Sequence, residues 1–238
     1  MLRRLFRALP DTPRALLLQV RLQARDALAG SARYATPTRA HALAERHRWT
    51  QTIHDTATAE AKRHNLRIAA ESLHRTVVRP GEVFSFARVV GPPIAPRGYR
   101  EGRTLVGGEV AASSGGGLCQ LSGLLYLAAL ECGLEILERH PHSLDIYTDA
   151  TRFAPLGADA TVVYGHRDLR LRNTLDAPIA FRCTVETEAI ALHLCSDAAI
   201  ARRSVAFNTR ALDHERSEVT TIVDGRTVDL SIYRHTAR

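Results

Sequence analysis

The chain has 238 residues, 45% apolar and 5% aromatic, with a formal net charge of +7. This suits one domain with extensions, or a medium domain and a small one, and excludes collagen-like, repeat and wholly disordered chains. The positive charge is almost all arginine, because Lys62 is the only lysine, and it is dispersed without a DNA- or RNA-binding motif, so no nucleic-acid partner is expected.

The chain opens Met1-Leu2-Arg3-Arg4-Leu5-Phe6-Arg7. Its apolar side chains beside arginines fit a basic turn lying on a membrane surface, and they equally fit a short helix packed on the domain. The run Ala15 to Leu18 is too short for a secretory signal, and no stretch reaches the roughly 20 apolar residues of a membrane span. The expected location is cytoplasmic, with peripheral association with the inner membrane through the basic N-terminus as the variant.

Pro37-Thr38 reads as a helix start, and Arg39 to about Leu73 lacks Gly and Pro, so one or two helices are expected there. His41, His47, His54, His64 and His74 fall in this region but give no compact ligand set with Cys or a carboxylate. They read as a solvated face, with no metal and no cofactor. Val83 to Phe86 reads as a short strand after the Pro80-Gly81 turn, and Gly107-Gly108 as a hairpin turn. After Gly115-Gly116-Gly117, Leu118 to Leu130 reads as a buried helix stopped by Gly133.

Short strands follow: Glu135 to Arg139, Leu144 to Tyr147, Ala160 to Tyr164 and Leu169 to Arg172. Ile179 to Val185 and Ala189 to Cys195 read as a pair, and Val219 to Val223 with Thr227 to Ile232 flank Asp224-Gly225, a strong hairpin turn. The fold class is α+β: N-terminal helices, then a central helix carrying Cys119 at its N-terminus, packed on a mainly antiparallel sheet. Three regions are expected: a basic helical 1–75, an α+β core 76–198, and an extension 199–238 with a β-hairpin.

Cys119 is the centre of the chemical reading. A helix N-terminus offers unpaired N–H groups and partial positive charge, which stabilise a thiolate. Gly115, Gly116 and Gly117 let the backbone turn sharply and let a substrate approach. A buried structural cysteine fits the same turn. The order of residues favours chemistry: His142 in His140-Pro141-His142-Ser143, then Asp159 and Asp168 around the next strand. Cys on a helix start, His on one strand and a carboxylate on the next resembles the assembly of papain-like and transglutaminase-like thiol enzymes, with His142 taking the thiol proton and an Asp fixing its tautomer. Cys132, Cys183 and Cys195 read as core, and a Cys183–Cys195 bridge between neighbouring strands is conceivable. Glu101 and Arg103 are placed to line the cleft, Glu101 as a partner for an amine or peptide, although a surface ion pair explains them as well. Asp149 and Arg152 carry the same two readings.

Pro80 to Phe86, Gly98-Tyr99, Gly115 to Ser122, Leu125-Tyr126, Glu138 to Ser143 and Asp168 to Asn173 closely resemble the VanW-like family, over roughly Leu66 to Ser196. The resemblance implies association with the bacterial cell envelope and glycopeptide resistance, and a peptidoglycan-related peptide as substrate. Ala87 departs from the family pattern, and Asp168 matches the family more closely than Asp159, so both carboxylates remain candidates. Gly115, Gly116, Gly117, Gln120, Glu101 and Ser143 are the expected substrate-binding residues. Three functions compete: a thiol-dependent amidase, peptidase or acyl transferase; a non-catalytic module binding a peptide or envelope component; and a scaffold docking through its basic N-terminus.

Overall fold

The computed structural model describes residues 10–28, 30, 32–38, 43–106, 109–145 and 152–235, the side chains of 103–113 excepted. Met1 to Arg7, His41, the Gly107-Gly108 turn, Tyr147 and Asp149 lie outside the described residues.

Four helices are described: α1 (Asp11–Leu28), α2 (Ala59–His74), α3 (Phe86–Val90) and α4 (Leu118–Glu131). The strands are β1 (Glu45–Thr52), β2 (Val77–Val78), β3 (Val83–Ser85), β4 (Glu101–Val106), β5 (Glu109–Ser114), β6 (Glu135–Glu138) and β7 (Leu144–Asp145). They continue with β8 (Arg170–Arg172), β9 (Ile179–Val185), β10 (Ala189–Cys195), β11 (Val205–Ala211), β12 (Arg216–Val223) and β13 (Arg226–His235). They form the sheets β1-β10-β9-β2, β11-β12-β13-β7 and β3-β8-β6, and the hairpin β4-β5. All pairings between these strands are antiparallel except β13 with β7. The class is α+β.

Helix α4 is apolar on every side, which a helix tolerates only when it is enclosed. Leu121, Leu124, Leu125, Ala128 and Ala129 are buried, and they join α2, β9 and β10 in a cluster running from Ala35 to Val223. That cluster crosses both boundaries read from the sequence. Gly133 (φ 72°) ends the helix as read, with Leu134 N–H donating to Ala129 O at 2.9 Å. No described helix is long and apolar enough to cross a membrane.

Three sequence expectations are corrected. Of the one or two helices read over 39–73, α2 is present, while the described residues before it, from 43 on, form strand β1 and a loop. β1 has an alternating pattern in which Trp49 and Gln51 point inward, and its hydrogen bonds come from β10, with Trp49 opposite Leu192. Pairing with a distant strand overrides local helical preference there. Thr38 caps no helix, because Pro37 and Thr38 pair with the segment at Arg75 and Thr76. Ala160 to Tyr164 forms no strand: Thr161 N–H donates to His140 O, and Ala160 O accepts from Ser122 Oγ at 2.6 Å.

The Cys183–Cys195 bridge is also excluded, since all four cysteines are free. Cys183 lies opposite Leu192 while Cys195 lies opposite Ala180. An offset of three residues puts the two thiols on opposite faces of the sheet.

Candidate functional site

The glycine turn is built by backbone geometry that side chains resist. Gly115 (φ 96°) and Gly117 (φ 97°) are left-handed. A Cβ on Gly115 would come within 2.7 Å of Pro93, and one on Gly117 within 2.7 Å of Lys62 Cγ. Asn65, fully buried on α2, ties the turn down. Its Nδ2 donates to Arg100 O (3.0 Å) and Gly116 O (3.2 Å), and its Oδ1 accepts from Arg100 N–H (2.8 Å). The turn delivers Cys119 as the second residue of α4, partly exposed, whereas the other three cysteines are buried. Burial pushes the Cys132 and Cys183 thiols up to about 12.

The Cys119 thiol lies close enough to His142 to favour its charged form, and Sγ also contacts Val162 O at 3.9 Å. His142 Nδ1 lies 2.6 Å from Asp159 Oδ2, which also accepts the His142 backbone N–H at 2.6 Å. Burial alone would pull the imidazolium down, but the bond to Asp159 and the nearby Cys119 thiol outweigh it and raise His142 from its usual 6.5 to about 10. Burial opposes the charge on Asp159 too. His142 and the Arg139 guanidinium overcome it and hold the carboxyl at about 2.

The second oxygen of Asp159 has its own partners. Oδ1 accepts from Tyr233 Oη at 2.5 Å and Arg139 Nη2 at 3.1 Å. Arg139, whose side chain is 4% exposed, also donates to Gly157 O, Asp159 O, Asp229 and Tyr233 Oη, and lies over the Tyr126 ring. The Asp159 segment reaches α4 at Gly123, where a Cβ would stand 3.2 Å from Ala158 O and 3.5 Å from Asp159 Cα. Beside the triad lies a hollow of about 60 Å³ whose wall includes His142, Phe153, Pro155, Asp159 and Tyr233. A larger hollow, about 410 Å³, lies behind Arg139 and is lined by neither His142 nor Asp159; Cys119 lines neither hollow, so the smaller one is the candidate substrate pocket through His142 and Asp159.

Of the predicted residues, Cys119, His142 and Asp159 come together. Asp168 is engaged elsewhere: it accepts from Ser85 Oγ (2.5 Å), Ala87 N–H (2.8 Å) and Arg170 Nε (3.1 Å). Burial raises its pKa against those bonds, and it belongs to a network with Asp26, Arg88, Arg170 and Glu138 that ties α1 to the sheet. Gln120 is buried and points away from the pocket, its amide donating to Thr52 O at 3.0 Å. Glu101 is exposed on β4. Ser143 is exposed, and its carbonyl accepts from Arg234 N–H. The Arg103 side chain is outside the described residues, and Arg152 pairs with Asp145 at 2.6 Å. Among the described residues no group of three or more His, Cys, Asp or Glu side chains is arranged to hold a metal.

Sequence reasoning assigned no role to Arg139, Tyr233 or Asn65. Arg139 had a signal, because it stands directly before the His140-Pro141-His142 segment. Tyr233 had none; it reaches the site through a hairpin far along the chain.

A family model described as VanW like protein matches residues 61–195. The protein named Uncharacterized protein YoaR of Bacillus subtilis is 37% identical over 123 residues, 52% of this chain and 39% of its own length. Vancomycin B-type resistance protein VanW of Enterococcus faecalis is 35% identical over 131 residues, 55% of this chain and 48% of its own. The aligned region therefore spans less than half of either relative. No solved structure matches the chain. The matched segment holds Asn65, Cys119, Arg139, His142 and Asp159 and stops before Tyr233.

Proposed function

The chain belongs to the VanW-like family, and on that premise we propose that it is a thiol-dependent enzyme that hydrolyses or transfers an amide bond in a peptidoglycan-related peptide. The observation carrying this reading is the line from Asp159 through His142 to Cys119: one carboxylate oxygen lies 2.6 Å from Nδ1, and the thiol sits close enough to the imidazole to favour its charged form. The relative named as a vancomycin resistance protein supports a cell-envelope substrate and a role connected with glycopeptide resistance.

In the proposed reaction the proton of Cys119 is held on the His142 imidazolium, and Sγ attacks the substrate carbonyl carbon as the thiolate. The oxyanion is received by the Cys119 amide, which has no acceptor among the described residues, at the positive end of α4. His142 returns its proton to the leaving amine as the C–N bond breaks, leaving a thioester. Water or an acceptor amine then gives up a proton to His142, attacks the thioester and frees the thiolate beside the restored imidazolium. Asp159 keeps the tautomer and stabilises the imidazolium throughout.

The test is iodoacetamide labelling read by mass spectrometry at neutral pH. Cys119 should react at least about tenfold faster in the unaltered protein than in His142→Ala, while the buried Cys132 stays slow in both. Equal labelling of the two cysteines in the folded protein would remove the nucleophile from the reading. A module that only binds would instead keep its cellular role in Cys119→Ser.

A further inference from the structure

Lys62 is the only lysine beside 31 arginines, and it stands at the site. It lies in the first turn of α2, four residues after the helix-preceding Thr58, whose carbonyl its N–H contacts. Its Cγ lies under Gly117, where a Cβ would come within 2.7 Å, and its Nζ is 5.6 Å from the centre of the Phe153 ring. Phe153 lines the same hollow as His142 and Asp159. The side chain therefore runs from the turn that presents Cys119 to the wall of the pocket.

Its charge is unanswered. Among the described residues Arg139 and Arg170, whose side chains are buried, each face a carboxylate, Asp159 and Asp26 respectively. Lys62 makes no ion pair and no side-chain hydrogen bond among the described residues; its partner is the ring face. Burial brings the ammonium down to about 8, with no neighbouring charge opposing the fall. A partly desolvated cation without a counterion is costly, and it becomes favourable when an anion arrives. Lysine suits this better than arginine, because a compact point charge beside an aromatic face does not demand bidentate geometry.

We infer that Lys62 receives a carboxylate of the substrate, so that Cys119 is presented with peptides carrying an anionic group next to the bond attacked. This rests on the thiol reading for its reaction and on Lys62 alone for its selectivity.

Two small haloacetyl reagents separate the two ideas. Iodoacetate carries the carboxylate and iodoacetamide does not, so the ratio of their Cys119 alkylation rates reads the anion preference. That ratio should fall about tenfold in Lys62→Met, which keeps the aliphatic stem against Gly117, and recover largely in Lys62→Arg. An unchanged ratio in a folded Lys62→Met protein overturns the inference while leaving the nucleophile intact. If Cys119 shows no selective alkylation at all, the thiol reading fails, and binding decides the matter. N-acetylglycine and its amide are then titrated into the Cys119→Ser protein by NMR. Preference for the acid that vanishes in Lys62→Met supports a carboxylate site, and equal binding of acid and amide overturns it. N-acetylglutamic acid α-amide in the same titration distinguishes a side-chain carboxylate from a C-terminal one.

Discussion

His142 carries a positive charge against the pull of burial, and the balance depends on Asp159 together with the Cys119 thiol. Its folded pKa is raised from 6.5 to about 10, so its contribution to stability is complete below pH 6.5 and fades as pH rises through about 10. Asp159 is depressed from 3.8 to about 2, so its contribution is present above pH 3.8 and lost as pH falls through about 2. The pair is at full strength between pH 3.8 and 6.5. Thermal unfolding of Asp159→Asn should therefore show its largest deficit near pH 6, with a clearly smaller gap at pH 10; a constant gap would mean that the imidazolium is not held by this carboxylate. The same substitution should slow alkylation of Cys119 by about 100-fold or more, as expected for loss of a group that orients a general base. Asp168→Asn should leave that rate within about threefold, because its bonds run to Ser85, Ala87 and Arg170.

Helix α4 fixes the thiol at its first turn and the carboxylate about one turn later, at Gly123. Gly123 is the contact point for the second task, because the backbone of Ala158 and Asp159 lies where its side chain would be. A Cβ at 3.2 Å from a carbonyl oxygen obliges that loop to move by a few tenths of an ångström. In Gly123→Ala the helix should remain, since alanine favours it, while the His142 pKa measured by NMR titration drops as Asp159 retreats. An unchanged titration would show that the loop is positioned by other contacts. Which elements were legible in the sequence follows from the same local logic. Helix α4 declared itself through uniform apolarity between two glycine boundaries, and the last hairpin through Asp224-Gly225, both with positive φ. Strand β1 did not, because a single tryptophan carries its alternation and its partner lies about 140 residues on. Cys119 and His142 were readable from their immediate neighbours. The choice of Asp159 over Asp168 was not, since it depends on Gly123 and on Ser85 occupying the other carboxylate.

Across the whole molecule the site is a joint between two sheets. Strand β13 pairs in parallel with β7 just after His142, and it carries Tyr233 and, at its base, Asp229 to Arg139 and Asp159. A region beyond the family match therefore supplies half of the support of the carboxylate. Tyr233→Phe should destabilise the fold by about 1–3 kcal/mol, because it leaves buried acceptor and donor atoms unpaired. Combined with Asp159→Asn it should be non-additive by at least about 0.5 kcal/mol in denaturant unfolding. Strict additivity would show the hairpin to be a bystander. The 74 residues separating Asp159 from Tyr233 also set a schedule. At about 5–20 residues per second of synthesis, Tyr233 is made roughly 4–15 seconds after Asp159. Through that interval the nascent chain already bears its cysteine, histidine and aspartate, but Arg139 has not met its hydroxyl or its second carboxylate. Strand β13, made well after them, is the one that completes the partners of the Asp159 carboxylate.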